Sequence, residues 1–101
     1  MTGTVNIRFT AAAKRELLAA LKRYRDDAGV TTAERFNDSV QHAAMRLRQM
    51  PELGSPAPSE LRTWPLQRFQ YTLVYRVDPK EIVVIAVAHQ RREAEYWRER
   101  K

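Results

Sequence analysis

The residues best suited to chemistry lie at the end of the most apolar stretch of the chain. His89 follows the apolar run 82–88, and Arg91 and Arg92 come almost directly after it. An imidazole can transfer protons at neutral pH, and guanidinium groups can hold a phosphate and stabilise the charge that builds up on it. These residue types predict metal-free cleavage of RNA, in which a 2′-OH attacks its own phosphate. The alternative is that His89 closes a strand and hydrogen-bonds a neighbour.

Arginines on the neighbouring predicted strands would extend this basic site. Along 71–77, Arg76 alternates with apolar side chains and is therefore expected on the opposite face of the sheet. If Arg62 and Arg68 point the same way, they form a nucleic-acid-binding field with Arg91 and Arg92. An ordinary solvated surface is the alternative for all of them.

The bulk composition limits the class of protein. A chain of 101 residues with 44% hydrophobic content predicts one domain, 1–101, with one modest core. The net charge of +6 favours nucleic acid or an acidic protein as partner. The absence of cysteine excludes disulfides, thiolate ligands and a cysteine nucleophile. Since the two histidines, His42 and His89, lie far apart in sequence, no metal site is expected, and no cofactor motif is present.

Hydropathy bears on where the protein works. No apolar run is long enough to cross a bilayer, and the N-terminus lacks a charged start followed by an apolar block. We therefore expect a cytoplasmic protein without a membrane partner.

Periodicity in the first half of the chain predicts a strand and two helices. Residues 5–9 alternate as a short strand, Thr10 can cap the helix that follows, and Gly29 can end it. The Thr31–Glu34 pair has capping-box spacing and predicts the start of a second helix, which ends before Pro51. Because their connection is short, the two helices should form an antiparallel hairpin.

The second half predicts strands. Gly54–Pro58 is expected to be a loop, Leu61–Leu66 a short strand, and the segments 69–77 and 82–88 a hairpin that turns at Asp78–Pro79. Residues 93–100 are expected to add a helical turn or two, docked by Tyr96 and Trp97.

Together these elements predict an α+β fold in two layers, ordered β-α-α-β-β-β. The N-terminal helical hairpin should pack on one face of a mainly antiparallel sheet, with a short C-terminal helical tail. Since no helices remain to cover the other face, it is expected to carry polar and basic groups and the functional site.

Several segments taken together resemble a known family, the RelE/ParE superfamily of toxins from bacterial type II toxin–antitoxin modules. The resemblance covers nearly the whole chain. It is carried by Ala33–Phe36, Leu47–Pro51 with Gly54, Leu61–Arg62, Pro65–Val77, Ala86–Arg92 and Tyr96–Trp97.

The resemblance implies a small cytoplasmic growth inhibitor that is neutralised by a cognate antitoxin. It leaves two mechanisms open. RelE-like members cleave mRNA in the ribosomal A site, so the ribosome and mRNA would be the partners. ParE-like members inhibit DNA gyrase without cleaving RNA. A protein-binding module that has lost toxicity is a third possibility.

The ribonucleolytic relatives place a basic cluster on the open sheet face, with a histidine or tyrosine near the last strand. Gln90 stands here where those relatives often have tyrosine. Arg68 and Arg92, from the basic field described above, are the candidates for nucleic-acid binding. The matching catalytic candidates are Arg62, Arg76, His89, Arg91 and Tyr96.

Overall fold

The computed structural model describes residues 5–92 and 95–100. Two helices pack on one face of a five-stranded sheet in the order β1-β5-β4-β3-β2. The predicted α+β fold with an N-terminal helical hairpin is confirmed. The elements are β1 (Asn6–Phe9), α1 (Ala11–Ala28), α2 (Val30–Gln49), β2 (Ser55–Ala57), β3 (Leu61–Pro65), β4 (Tyr71–Val77) and β5 (Glu81–His89).

The helical hairpin is set by its caps. Thr10 caps α1 as predicted, because its hydroxyl accepts a hydrogen bond from the Ala13 N–H at 3.1 Å. Gly29 ends α1 and also precedes α2, with a φ of +95° that favours glycine. The predicted capping box is wrong: α2 begins at Val30, since the Gly29 carbonyl already accepts from the Ala33 N–H. Neither helix is long and apolar enough to cross a membrane.

The sheet contains one strand more than predicted. The segment 55–57, predicted as a loop, forms the antiparallel edge strand β2, in which Pro56 lies opposite Arg62. An edge strand tolerates proline because one side of it needs no ladder hydrogen bonds. At the other edge β1 runs parallel to β5, with Phe9 beside Val84. The strands β3, β4 and β5 are antiparallel, as predicted.

A β-bulge in β5 reverses the expected direction of its last residues. Tyr75 pairs with Val84 and Val74 pairs with Ala86, so Ile85 is an extra residue without a partner on β4. Val84, before the bulge, packs in the core between the sheet and the helices. Ile85 and Ala86 both lie on the open face, which the helices do not cover, and Val87 again packs on the helix side. His89 therefore lies on the helix-bearing face, whereas uninterrupted alternation would have put it on the open face.

The open face of the sheet is apolar at its centre, so the expectation of a polar and basic surface there is wrong. Trp97, only 6% exposed, packs on this face with Tyr96. Residues 95–100, called the tail below, form a series of turns. The Arg98 N–H donates to the Glu95 carbonyl and the Arg100 N–H donates to the Trp97 carbonyl, both at 2.9 Å. Residues 93 and 94 lie outside the described residues. The sheet residues beneath the tail are Leu61, Val74, Val83, Ile85, Ala86 and Ala88.

Candidate functional site

His89 ends β5 against an aromatic wall. It pairs directly with Tyr71 across the sheet, and its ring meets the Tyr71 ring edge-on, with 4.9 Å between centroids. The Arg91 N–H donates to His89 Nδ1 at 3.0 Å. In the neutral ring the proton is therefore on Nε2. Nε2 can then only donate a hydrogen bond, and Nδ1, the nitrogen that could accept a proton, is already occupied.

The surroundings of His89 favour the uncharged form of its ring. Burial lowers the pKa of His89 from 6.5, and the positive charges of Arg23 and Arg91 lower it further. Arg23 lies on α1, acts on the histidine through its charge and was not among the residues predicted for the site. No sequence signal marks it, because its influence on His89 depends on how α1 packs against β5.

Arg62 lies on the helix-bearing face, because it pairs with the buried Tyr75. Its Nη1 donates to the carbonyls of Gly54 at 2.7 Å and Glu52 at 3.2 Å. These bonds tie the segment after α2 to β3. The guanidinium group is thus engaged by the fold.

Arg76 lies on the opposite face of the sheet and at the opposite end of the β4–β5 ladder from His89, since it pairs with Val83. Its guanidinium binds the Asp78 carboxylate through two bonds of 2.8 and 3.1 Å. These bonds raise the pKa of Arg76 and lower that of Asp78. Arg76 is therefore already paired and remote from the histidine.

Tyr96 and Arg92 surround Glu16, a carboxylate from α1 that sequence analysis did not identify. The Tyr96 hydroxyl donates to Glu16 Oε2 at 2.5 Å, and the Arg92 guanidinium lies 3.8 Å from the centre of the Tyr96 ring. Burial and the bond to Glu16 raise the pKa of Tyr96 far above its ordinary value of 10.0. The Tyr96 hydroxyl is thus a poor base at neutral pH.

Arg68, Arg91 and Arg92 are the exposed members of the predicted set. Arg68 lies in the β3–β4 loop with a φ of +70° and lines a groove against α2 together with His42 and Phe69. His42 is an exposed residue of α2, as expected.

The predicted residues thus form separate groups. His89 is bonded to the Arg91 N–H and is influenced by the charge of Arg23, Arg92 and Tyr96 lie around Glu16, and Arg62 and Arg76 are on opposite faces. The expectation that all of them gather on the open face is wrong, because the bulge turns His89 toward the helices and register turns Arg62 the same way. The described residues also contain no group of three His, Asp or Glu side chains arranged to hold a metal ion.

Chains of two solved toxin–antitoxin systems share this fold, a helical hairpin on one face of a five-stranded sheet. The fold is similar to a chain of the chromosomal ParDE toxin–antitoxin system from P. aeruginosa, with 24% identity and a TM-score of 0.74 over 85% of this chain and 96% of that one. It is also similar to a chain of the RelBE2 toxin–antitoxin complex from Mycobacterium tuberculosis, with 23% identity and a TM-score of 0.62 over 88% of this chain and 94% of that one.

The sequence identifies the family to which the chain belongs. Residues 7–94 match the family described as the ParE toxin of the type II toxin–antitoxin system parDE. The chain therefore belongs to the ParE toxin family, within the RelE/ParE superfamily. No curated protein sequence matches it significantly.

Proposed function

We propose that this toxin arrests growth by binding DNA gyrase and does not cleave RNA. The observation that supports this proposal is the separation of His89, Arg62 and Arg76, which cleavage would need around one phosphate. Gyrase is the target that the resemblance to ParE-like toxins implies. Membership of the ParE toxin family favours the same choice.

The hydrogen bonds of the two candidate proton-transfer groups also support inhibition by binding rather than RNA cleavage. His89 Nδ1 accepts the Arg91 N–H, and the Tyr96 hydroxyl donates to a carboxylate. Either group would first have to break its bond before accepting a proton from a 2′-OH. The raised pKa of Tyr96 makes its deprotonation at pH 7 more costly still.

A cognate antitoxin is the second proposed partner. Both similar structures come from toxin–antitoxin systems, and the net charge of +6 suits an acidic neutralising segment. We place the complex in the cytoplasm, where gyrase acts.

Two assays run side by side test the choice of mechanism. Purified toxin should inhibit supercoiling by gyrase, or trap cleaved DNA, while mRNA in a translating extract stays intact. His89→Ala should shift the inhibitory concentration by no more than about threefold, because a group outside any reaction centre does not contribute the roughly 10²–10⁴-fold of an acid–base residue. His42→Ala, the same change at the exposed histidine of α2, is the matched control. Full supercoiling at growth-arresting toxin concentrations would reject gyrase as the target.

RNA cleavage remains a second candidate, because Arg23 and Arg91 both act on His89. Guanidinium groups whose charge is felt by the imidazole could bind a phosphate. This mechanism predicts cut mRNA that disappears with His89→Ala and persists with His42→Ala. Intact mRNA in the presence of ribosomes and active toxin would eliminate it.

A further inference from the structure

Glu16 is the most highly connected carboxylate among the described residues, and its side chain is only 14% exposed. Arg100 holds both of its oxygens, at 2.8 and 3.0 Å, and Tyr96 donates to Oε2. Arg92 lies 3.5 Å from Oε2. Burial alone would raise the pKa of Glu16, but these hydrogen bonds outweigh it and lower that pKa below 4.5. The carboxylate is thus charged at neutral pH and joins α1 to the tail.

The same ion pair completes an unfinished edge of the sheet. The pairing of β1 with β5 stops at Phe9 and Val84, so beyond it none of the described strands pairs with β5 on that side. The Val87 N–H donates to Glu16 Oε1 at 3.0 Å, and Arg100 donates to the Ile85 carbonyl at 2.9 Å. The carboxylate and the guanidinium thus supply the acceptor and the donor that a further strand would have supplied.

The position of the tail depends on this arrangement. Trp97 is buried on the open face of the sheet, and Arg92 stacks on Tyr96, so the tail packs firmly on one side. Arg98 in the tail and Arg92 just before it have side chains that are 61% and 54% exposed, although Glu95 lies 3.9 Å from Arg98 and Glu16 lies 3.5 Å from Arg92. On α1, the Arg23 side chain is 59% exposed and lies 4.0 Å from the Asp27 carboxylate. Holding the tail against α1 therefore keeps exposed cations of both elements at fixed positions.

We propose that Glu16 is a positioning residue that locks the tail onto α1 and β5, so that the tail and α1 bind an acidic surface of the target protein as one unit. This inference rests on the proposed function insofar as the toxin acts by contact. Glu16 itself is too buried to be a major contact of the target. Its effect on binding is exerted through Arg100 and Tyr96.

The test compares Glu16→Gln, Arg100→Gln and the double variant with Glu34→Gln, which removes the same charge from an exposed position of α2. Glutamine retains an acceptor for the Val87 N–H but removes the charge that holds Arg100. Amide exchange of the tail should become about 10-fold faster or more in both single variants, as expected for loss of a charged hydrogen bond, and exchange in β4 should change by less than about threefold. The double variant should be little worse than either single one, because the two residues act as a pair.

Toxicity is measured in the same set, as growth arrest on expression and as the concentration that half-inhibits gyrase. Glu16→Gln and Arg100→Gln should both require about 10-fold more protein, in proportion to the freed tail, and Glu34→Gln should match the parent. Unchanged exchange in the tail, or a freed tail with undiminished growth arrest, would overturn the inference. If the parent arrests growth without inhibiting gyrase, the choice of target fails, whereas the role of Glu16 is still decided by exchange and growth arrest.

Discussion

Replacing Tyr75 by phenylalanine should destabilise the toxin more than the loss of one oxygen atom suggests. The Tyr75 side chain is fully buried, and its hydroxyl joins two backbone groups of the segment after α2. It donates to the Pro51 carbonyl at 2.8 Å and accepts from the Gly54 N–H at 2.8 Å. Phenylalanine keeps the ring in the core but leaves both backbone groups without this partner.

The expected cost follows from those two groups. An unsatisfied buried donor or acceptor costs about 1–3 kcal/mol, and partial access of water at the segment lowers the sum to about 2–4 kcal/mol. With an unfolding entropy of about 2.1 cal/mol/K per residue, 1 kcal/mol corresponds to about 5 °C in Tm for a domain of this size, so Tm should fall by roughly 10–20 °C. Burial raises the pKa of Tyr75 above 10.0, so the hydroxyl keeps its donor role across the neutral range.

Urea denaturation followed by the fluorescence of Trp64 and Trp97 measures the change. Tyr71→Phe is the matched control, because it removes a hydroxyl from the same strand and the same face without touching the segment after α2. A Tyr75→Phe variant within about 0.5 kcal/mol of the Tyr71→Phe variant would show that the two backbone groups find other partners and would refute the reasoning.

Further predictions concern the same segment and the histidine. Gly54→Ala should cost about 1–3 kcal/mol in urea denaturation, because a Cβ there would lie 2.5 Å from the Tyr75 hydroxyl oxygen and 2.8 Å from the Thr63 carbonyl oxygen. An NMR titration should give His89 a pKa below 6.5, which Arg23→Gln raises and Arg15→Gln, on the same helix, leaves unchanged. Since the unfolded chain then binds the proton more readily, stability should fall as the pH drops from above 6.5 toward the folded pKa, and His89→Gln should flatten this dependence in urea midpoints at pH 8 and 5.5. An unshifted His89 pKa would contradict the second and third expectations together.

The order of elements could be predicted from the sequence because it depends on local signals. Thr10 and Gly29 mark the ends of α1 by cap chemistry, and the β-branched run in β5 marks a strand buried on both faces. Strand β2 was missed because three residues containing a proline carry no alternation to read. Its pairing depends on β3, which lies several residues further along the chain.

The arrangement of the site residues was predicted less well, because the face of the sheet on which a side chain lies depends on the register between strands. One extra residue, Ile85, moves His89 to the other face, and nothing in an unbroken apolar run marks where a bulge falls. The partners of the charged groups were equally hidden. Glu16 and Arg100 lie 84 residues apart, and only the packing of the tail against α1 brings them together.

The parallel pairing of β1 with β5 has a consequence for synthesis of the protein. Among the described strands, β1 pairs with β5 alone, where Ile7 lies beside Ile82 and Phe9 beside Val84. A nascent chain must bring these two distant strands together before this edge forms, and such long-range contacts slow folding. Translation that stops before residue 82 therefore yields fragments without the β1–β5 pairing.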